Sequence, residues 1–152
     1  MEKTSLYSIN EFLKHKTLAI VGVSNNKNKF SNQLFNDLLK KGYILYPVNP
    51  SMKTFNGQEC FPDLKSIPQK IEAAIIITNP SVTEIIVKDA ISKNIKNLWL
   101  QQGTESEAAI KSAKENNINI ITKHCFMMYA EPLVTPHKIH RFFLKLFGKY
   151  PK

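Results

Sequence analysis

The sequence predicts an α/β domain built on a parallel five-stranded sheet wound in both directions, with helices on both faces. Three observations carry this. Short apolar runs alternate with stretches of helical periodicity through the middle of the chain, and each run ends in a polar loop. The length, 152 residues at 43% hydrophobic composition, suits one domain able to bury its own core.

The elements follow in order. Ser8 with Glu11 reads as a capping box ahead of Ile9, Phe12 and Leu13, so a short lead-in helix is expected. "TLAIVGV" (17–23) is too short for a buried helix and ends at Gly22 and a polar loop, which makes it the first strand. From Ser31, Leu34, Phe35, Leu38 and Leu39 recur at helical spacing until Gly42. "YILYPVNP" (43–50) is a second strand broken by Pro47 near its end. "AAIIIT" (73–78) is a third, after a long proline-containing connection. "LWLQ" (98–101) and "INIIT" (118–122) complete the sheet, and the helices between these strands are expected to open at the capping boxes Ser81–Glu84 and Thr104–Glu107. Last, Thr135 and Pro136 start a basic amphipathic helix, about 136–147, that Gly148 ends.

Strands alternating with helices imply right-handed crossovers. The expected order is 3-2-1-4-5, a Rossmann-like arrangement. Its winding reverses beside the first strand, opening a crevice at the carboxyl ends of strands one and four. The loops after Val23, Val48, Ile77, Leu100 and Thr122 all open on that edge.

A formal charge of +9, from 21 Lys and Arg against 12 Asp and Glu, favours a polyanionic partner: nucleotide, nucleic acid or acidic membrane. No apolar run reaches the roughly 20 residues that span a bilayer, and "MEKTSLYSINEF" lacks a secretory apolar segment, so a cytoplasmic location is expected. Cys60 and Cys125 are far apart and without metal-ligand spacing, so reduced thiols are the expectation.

The first loop combines backbone donors with a helix N-terminus, which suits phosphate oxygens. Lys27 and Lys29 add full charges, Gly22 lets the backbone turn closely, and Ser24, Asn25 and Asn26 offer side-chain donors. An ordinary polar turn with solvated lysines is the competing reading. The dinucleotide fingerprint G-x-G-x-x-G is absent from "GVSNNKNKFSN", and the second strand ends in Val48-Asn49-Pro50 without the acidic residue that accepts an NAD ribose. Lys53 lies just beyond. That combination favours a ligand with a phosphorylated ribose, such as NADP or coenzyme A.

The ordered segments "AIVGVSNNKNKFSN", "GYILYPVNP", "AAIIITNPSVTEII", "LWLQQGTES" and "ITKHCFMMYAEP" resemble the stand-alone CoA-binding domain proteins, which are similar to the N-terminal domain of the succinyl-CoA synthetase alpha subunit. The resemblance covers roughly residues 10–132. The downstream "HKIHRFFLKLFGKYPK" resembles the tail of one branch of that family. It implies Gly22, Val23, Ser24 and Asn25 around the CoA diphosphate, with Lys27 or Lys29 as anion partners. It implies Val48, Asn49, Pro50 and Lys53 beside the adenosine and its ribose phosphate, Thr78, Asn79 and Pro80 across the crevice, and Gln102 with Gly103 near the diphosphate or pantetheine arm. Pro50 and Pro80 as simple strand terminators, and Lys53 as a solvated lysine, remain alternatives. The ligand implied is coenzyme A or an acyl-CoA. The synthetases' phosphohistidine loop and partner subunit lie outside such a domain, so ligation is not implied.

No catalytic set stands out. His124 and Cys125 are adjacent in an extended segment and point to opposite sides, which argues against a thiolate–imidazole pair. Cys125 ends the last strand where a ligand thiol would arrive, so a thiol contact and a small core residue are both open. His124, His137 and His140 lack a zinc signature. "FMMYAEPL" and Trp99 read as packing, with an apolar wall for a pantetheine or acyl chain as the alternative for the former. The Ile139, Phe142, Phe143 and Leu146 stripe reads as docking on the domain or a second subunit, with an anionic membrane surface as the alternative and nucleic acid disfavoured. Two other functions stay in view: an NAD(P)-binding redox enzyme or sensor, and an interaction protein acting through the terminal helix.

Overall fold

A computed structural model describes residues 4–132 and 135–151. Helix α1 (Leu6–Leu13) leads into β1 (Thr17–Val21), followed by α2 (Phe30–Lys40), β2 (Ile44–Val48), the short strands β3 (Thr54–Phe55) and β4 (Gln58–Glu59), and β5 (Ala73–Ile76). Then come α3 (Pro80–Ser92), β6 (Asn97–Gln101), α4 (Glu107–Glu115), β7 (Asn119–His124), a 3-10 turn (Phe126–Met128) and α5 (Thr135–Leu146).

Five parallel strands form the expected doubly wound, Rossmann-like sheet, in the order β2-β1-β5-β6-β7. The third long strand therefore lies against β1, not outside β2, and the 3-2-1-4-5 order is corrected. Pro47 supplies a reason. A proline cannot donate to a ladder on a second side, so β2 belongs at an edge. Its outer side is closed differently: the Pro47 carbonyl accepts from the Phe61 N–H at 2.9 Å and the Phe61 carbonyl from the Asn49 N–H at 2.9 Å. β5 is buried along its whole length, as an interior strand must be.

Alternation along each strand builds two cores. Leu18, Ile20, Ala73, Ile75, Trp99 and Ile121 face α1 and α2, meeting Phe12, Leu34, Phe35 and Leu38. Ala19, Val21, Ala74, Ile76, Leu98 and Leu100 face α3 and α4, meeting Val87, Ala90, Ile110 and Ala113. The connection between β2 and β5 packs Phe61, Leu64, Ile67 and Ile71 into this second core, so it crosses back on the α3 face while α2 lies on the other. The winding thus reverses between β1 and β5.

Packing is the reading that holds for Trp99, which is fully buried against Phe12 and Phe126 at ring-centroid distances of 5.5 and 4.9 Å. It holds as well for 126–130 of "FMMYAEPL", all buried; Leu133 lies outside the described residues. The connection also contains a hairpin not expected from the sequence: Asn56 and Gly57 both have positive φ, 49° and 77°, and turn β3 into β4.

The three capping boxes are corrected. Ser5, three residues before Ser8, caps α1 by accepting from the Ser8 N–H at 3.1 Å. α3 begins at Pro80 with Asn79 as its N-cap, so Ser81 falls inside the first turn. Ser106 rather than Thr104 caps α4, and it donates its hydroxyl to Glu84, which joins the starts of two helices instead of capping its own. Each box was misread because a hydroxyl nearer the true first turn was available, or because Pro at N1 moved the start forward.

α5 docks by a different face from the one expected. Leu144 and Tyr150 pack on the first core and Arg141 pairs with Glu131 at 2.6 Å, whereas Ile139, Phe142, Phe143 and Leu146 are exposed. Among the described residues no helix is long and apolar enough to cross a membrane.

Candidate functional site

At the reversal point three strand ends converge on Gly22. Its N–H donates to the Val48 carbonyl at 3.0 Å, and one step earlier the Val21 carbonyl accepts from the Ile77 N–H at 2.8 Å. Gly22 has φ +99°, and a Cβ there would lie 2.2 Å from the Ile77 oxygen and 3.2 Å from Cγ2 of Thr78. Only glycine fits so close an approach of β1 to β5. Across the other seam, the Asn49 amide donates to the Val23 carbonyl at 2.6 Å. Gly22, Val23, Val48, Asn49 and Thr78 are therefore brought together.

The loop that follows is held by Asn32, a buried residue in the first turn of α2. Its Oδ1 accepts from the Ser24 N–H at 3.2 Å, while Nδ2 donates to the Ser24 carbonyl at 2.7 Å and the Asn26 carbonyl at 2.8 Å. Ser24 Oγ accepts from the Asn26 N–H, and Asn26 Oδ1 from the Asn28 N–H. The Ser24 and Asn26 side-chain oxygens thus shape the loop as acceptors. Asn25, Lys27 and Lys29 are exposed on it.

α2 and α3 start on this edge, and neither Lys29 nor Asn79 caps its helix with a side chain, whereas Ser5 and Ser106 cap α1 and α4. Both helix N-termini flanking the crevice thus lack a side-chain cap. Such ends favour anions through their unsatisfied N–H groups.

The remaining residues spread outward along the same edge. Pro50 is exposed after Asn49, whose Oδ1 accepts from the Ser51 N–H at 2.8 Å. Lys53 is exposed, and its carbonyl accepts from the Cys60 N–H at 2.9 Å, which places it at the base of the β3–β4 hairpin. Asn79 and Pro80 are exposed at the start of α3, and Thr78 shares a hydrogen bond with the buried Thr83 at 3.0 Å.

Gln102 and Gly103 are exposed after β6, one strand further from β1 than the 3-2-1-4-5 order implied. The Gly103 N–H, moreover, donates to Glu105 at 2.8 Å, and the Lys123 N–H donates to the other oxygen of the same carboxylate at 2.7 Å. An internal anion already sits on this pair of backbone donors.

At the end of β7, Cys125 is half-buried and packs against the first core. The His124 ring shares a hydrogen bond with the Tyr129 hydroxyl at 3.2 Å, and its carbonyl accepts from the Trp99 indole at 2.9 Å. Burial holds this imidazole below its ordinary range, with Glu105 acting the other way. Cys60 is buried beside Asn49, and burial pushes its thiol up, so it is a poor nucleophile.

Sequence reasoning missed Asn32, Gln101 and Glu105, and read Thr104 only as a helix cap; all four wire the loops together. Gln101 Oε1 accepts from the Phe126 N–H at 3.2 Å, and Thr104 donates to the Gln101 carbonyl at 2.8 Å. Asn32 did leave a signal, an amide inside the first turn of an otherwise apolar-periodic helix directly after the loop.

Three comparisons show what the chain is similar to. The family description "CoA binding domain" matches residues 16–131. The uncharacterized protein YneT of Bacillus subtilis (strain 168) is 25% identical over 126 residues, spanning 82% of this chain and 93% of that one. The acetate–CoA ligase [ADP-forming] I of Archaeoglobus fulgidus is 26% identical over 99 residues, which are 65% of this chain but 14% of the ligase. A solved structure, described as a hypothetical protein from Pyrococcus horikoshii OT3, superposes with a TM-score of 0.79 at 34% identity, covering 88% of this chain and 99% of its own. The chain belongs to the CoA-binding domain family.

Proposed function

We propose that this protein binds coenzyme A or an acyl-CoA across the carboxyl edge of the sheet, without itself carrying out a reaction on it. The observation that carries the reading is the convergence of Gly22, Val48 and Ile77, which sets the pre-shaped 23–29 loop and two helix N-termini without side-chain caps around one crevice. Membership of the CoA-binding family supplies the ligand class.

In this reading the 22–25 loop and the start of α2 hold the diphosphate, with Lys27 or Lys29 as counter-charges. Val48, Asn49 and Pro50 border the adenosine, and Lys53 meets the ribose phosphate. Thr78, Asn79 and Pro80 face them, Gln102 and Gly103 flank the pantetheine arm, and the thiol end runs toward Cys125. Residues 1–152 act as one CoA-binding domain in the cytoplasm, where both cysteines stay reduced. An NAD(P)-linked redox role is the weaker reading, since β2 is followed by Asn49, whose side-chain amide donates to the Val23 carbonyl, and offers no carboxylate to a ribose.

Calorimetric titration of the full chain with CoA, dephospho-CoA, NADPH, NAD and ATP tests the proposal. Saturable binding of CoA, tightest of the five and weakened by Lys53→Gln, is expected. Equal affinity for all five, or hydride transfer from bound NADPH to an acceptor, would overturn it. Alkylation of Cys125 should slow in the presence of CoA while Cys60 stays unmodified. Unchanged labelling would remove Cys125 from the site.

A further inference from the structure

We infer that the outer face of α5 docks this protein on an anionic lipid surface. Ile139, Phe142, Phe143, Leu146 and Phe147 form one stripe at helical spacing, and they are 53%, 61%, 47%, 63% and 68% exposed. Such an array of large apolar side chains, three of them aromatic, is not the scattered single exposure that ordinary surfaces show.

The helix cannot simply roll to hide the stripe, because its opposite face is anchored. Leu144 and Tyr150 pack on the core, the Tyr150 ring lies 5.6 Å from that of Tyr129, and Arg141 pairs with Glu131. The apolar side therefore points away from the body of the protein.

Charge identifies what it meets. Residues 133–152 contain Lys138, Arg141, Lys145, Lys149 and Lys152 and no Asp or Glu, so this segment supplies +5 of the formal +9. With 3.6 residues per turn, Lys138 and Lys145, two turns apart, fall on one flank of the stripe, and the exposed Lys149 follows just beyond the end of α5. Lys145 lies over the Tyr150 ring at 4.9 Å and remains exposed.

A second copy of the chain is a poor occupant, since it would bring two lysine-flanked, acid-free helices together. A convex ridge of phenyl and aliphatic groups edged by lysines matches the headgroup layer of an anionic bilayer. The apolar side chains enter the acyl boundary, and the flexible lysine stems lift their ammonium groups to the phosphates. Among the described residues no helix could cross the bilayer, so the contact is peripheral.

Co-sedimentation of the full chain with vesicles tests this. Vesicles of phosphatidylcholine with about 30% phosphatidylglycerol should retain at least about tenfold more protein than pure phosphatidylcholine, and raising salt from about 0.1 to about 0.5 M should reduce the difference. Phe142→Ser with Phe147→Ser, and separately Lys138→Gln with Lys149→Gln, should each abolish retention while leaving the circular dichroism spectrum and CoA affinity unchanged. These positions are exposed and far from the core, so folding is not at issue. Failure of the wild-type chain to favour anionic vesicles overturns the inference. So does light scattering that shows a dimer dissociated by the Phe substitutions, or retention that survives them. None of these outcomes depends on whether CoA binds.

Discussion

The side chain of Asn32 pairs with the backbone of Ser24 as a strand would, accepting from its N–H at 3.2 Å and donating to its carbonyl at 2.7 Å. A third bond, to the Asn26 carbonyl, extends the clamp across the loop that faces the crevice. The loop is thus shaped before any ligand arrives. Asn32→Ala leaves three backbone groups without these partners and is expected to lower stability by about 2 kcal/mol. It should also weaken CoA binding several-fold, since the loop must then be ordered at the ligand's expense. Urea denaturation and titration check this together; an Ala variant with unchanged affinity would show that the loop shape does not matter to binding.

Gly22 and Gly103 share positive φ but not crowding. Gly22→Ala drives a methyl to 2.2 Å from the Ile77 oxygen and should cost more than about 3 kcal/mol or prevent folding. Gly103→Ala meets nothing within 4 Å, so only the backbone conformation opposes it, at about 1–2 kcal/mol. Expression and thermal melting of the pair decide whether Gly22 acts through the β1–β5 approach.

The Glu105 carboxylate bridges the Gly103 and Lys123 N–H groups, where a polyanionic ligand would approach. Glu105→Gln removes the charge while keeping an acceptor, so CoA affinity should rise several-fold and thermal stability fall slightly. A drop in affinity would mean that the carboxylate orders the site rather than competing with the ligand.

His124 is held below its ordinary value of 6.5, chiefly by burial. Between the two values the unfolded chain binds a proton that the folded chain does not, so the folded state is favoured above 6.5 and loses stability as pH falls from there toward the folded value. Melting temperatures measured from about pH 7.5 down to about pH 5.5 should decline, and His124→Gln should flatten that decline. An identical slope in the variant would assign the effect elsewhere.

How much of this was legible varies by element. The apolar runs at β1, β5 and β6 and the stripe of α2 were readable because burial on a sheet or helix imposes its own period. The Asn56-Gly57 turn and the edge position of β2 were readable in principle, from two residues of known turn chemistry and from Pro47. Helix starts were less so. Ser5, Ser8, Ser81, Thr104 and Ser106 are chemically similar cap candidates, and which one bonds depends on where the packed fold lets each helix begin.

The α/β fold class, the gathering of loops at the carboxyl edge and the lack of an acidic residue directly after β2 were readable in the chain. These depend on residue type and local period. Only the folded chain shows that β5 lies beside β1, that Ile77 crowds Gly22, that Asn32 clamps Ser24, and that Ile139, Phe142, Phe143 and Leu146 face outward. Each depends on contacts between residues distant in the chain or on which face of a helix is anchored, and a one-dimensional pattern records neither.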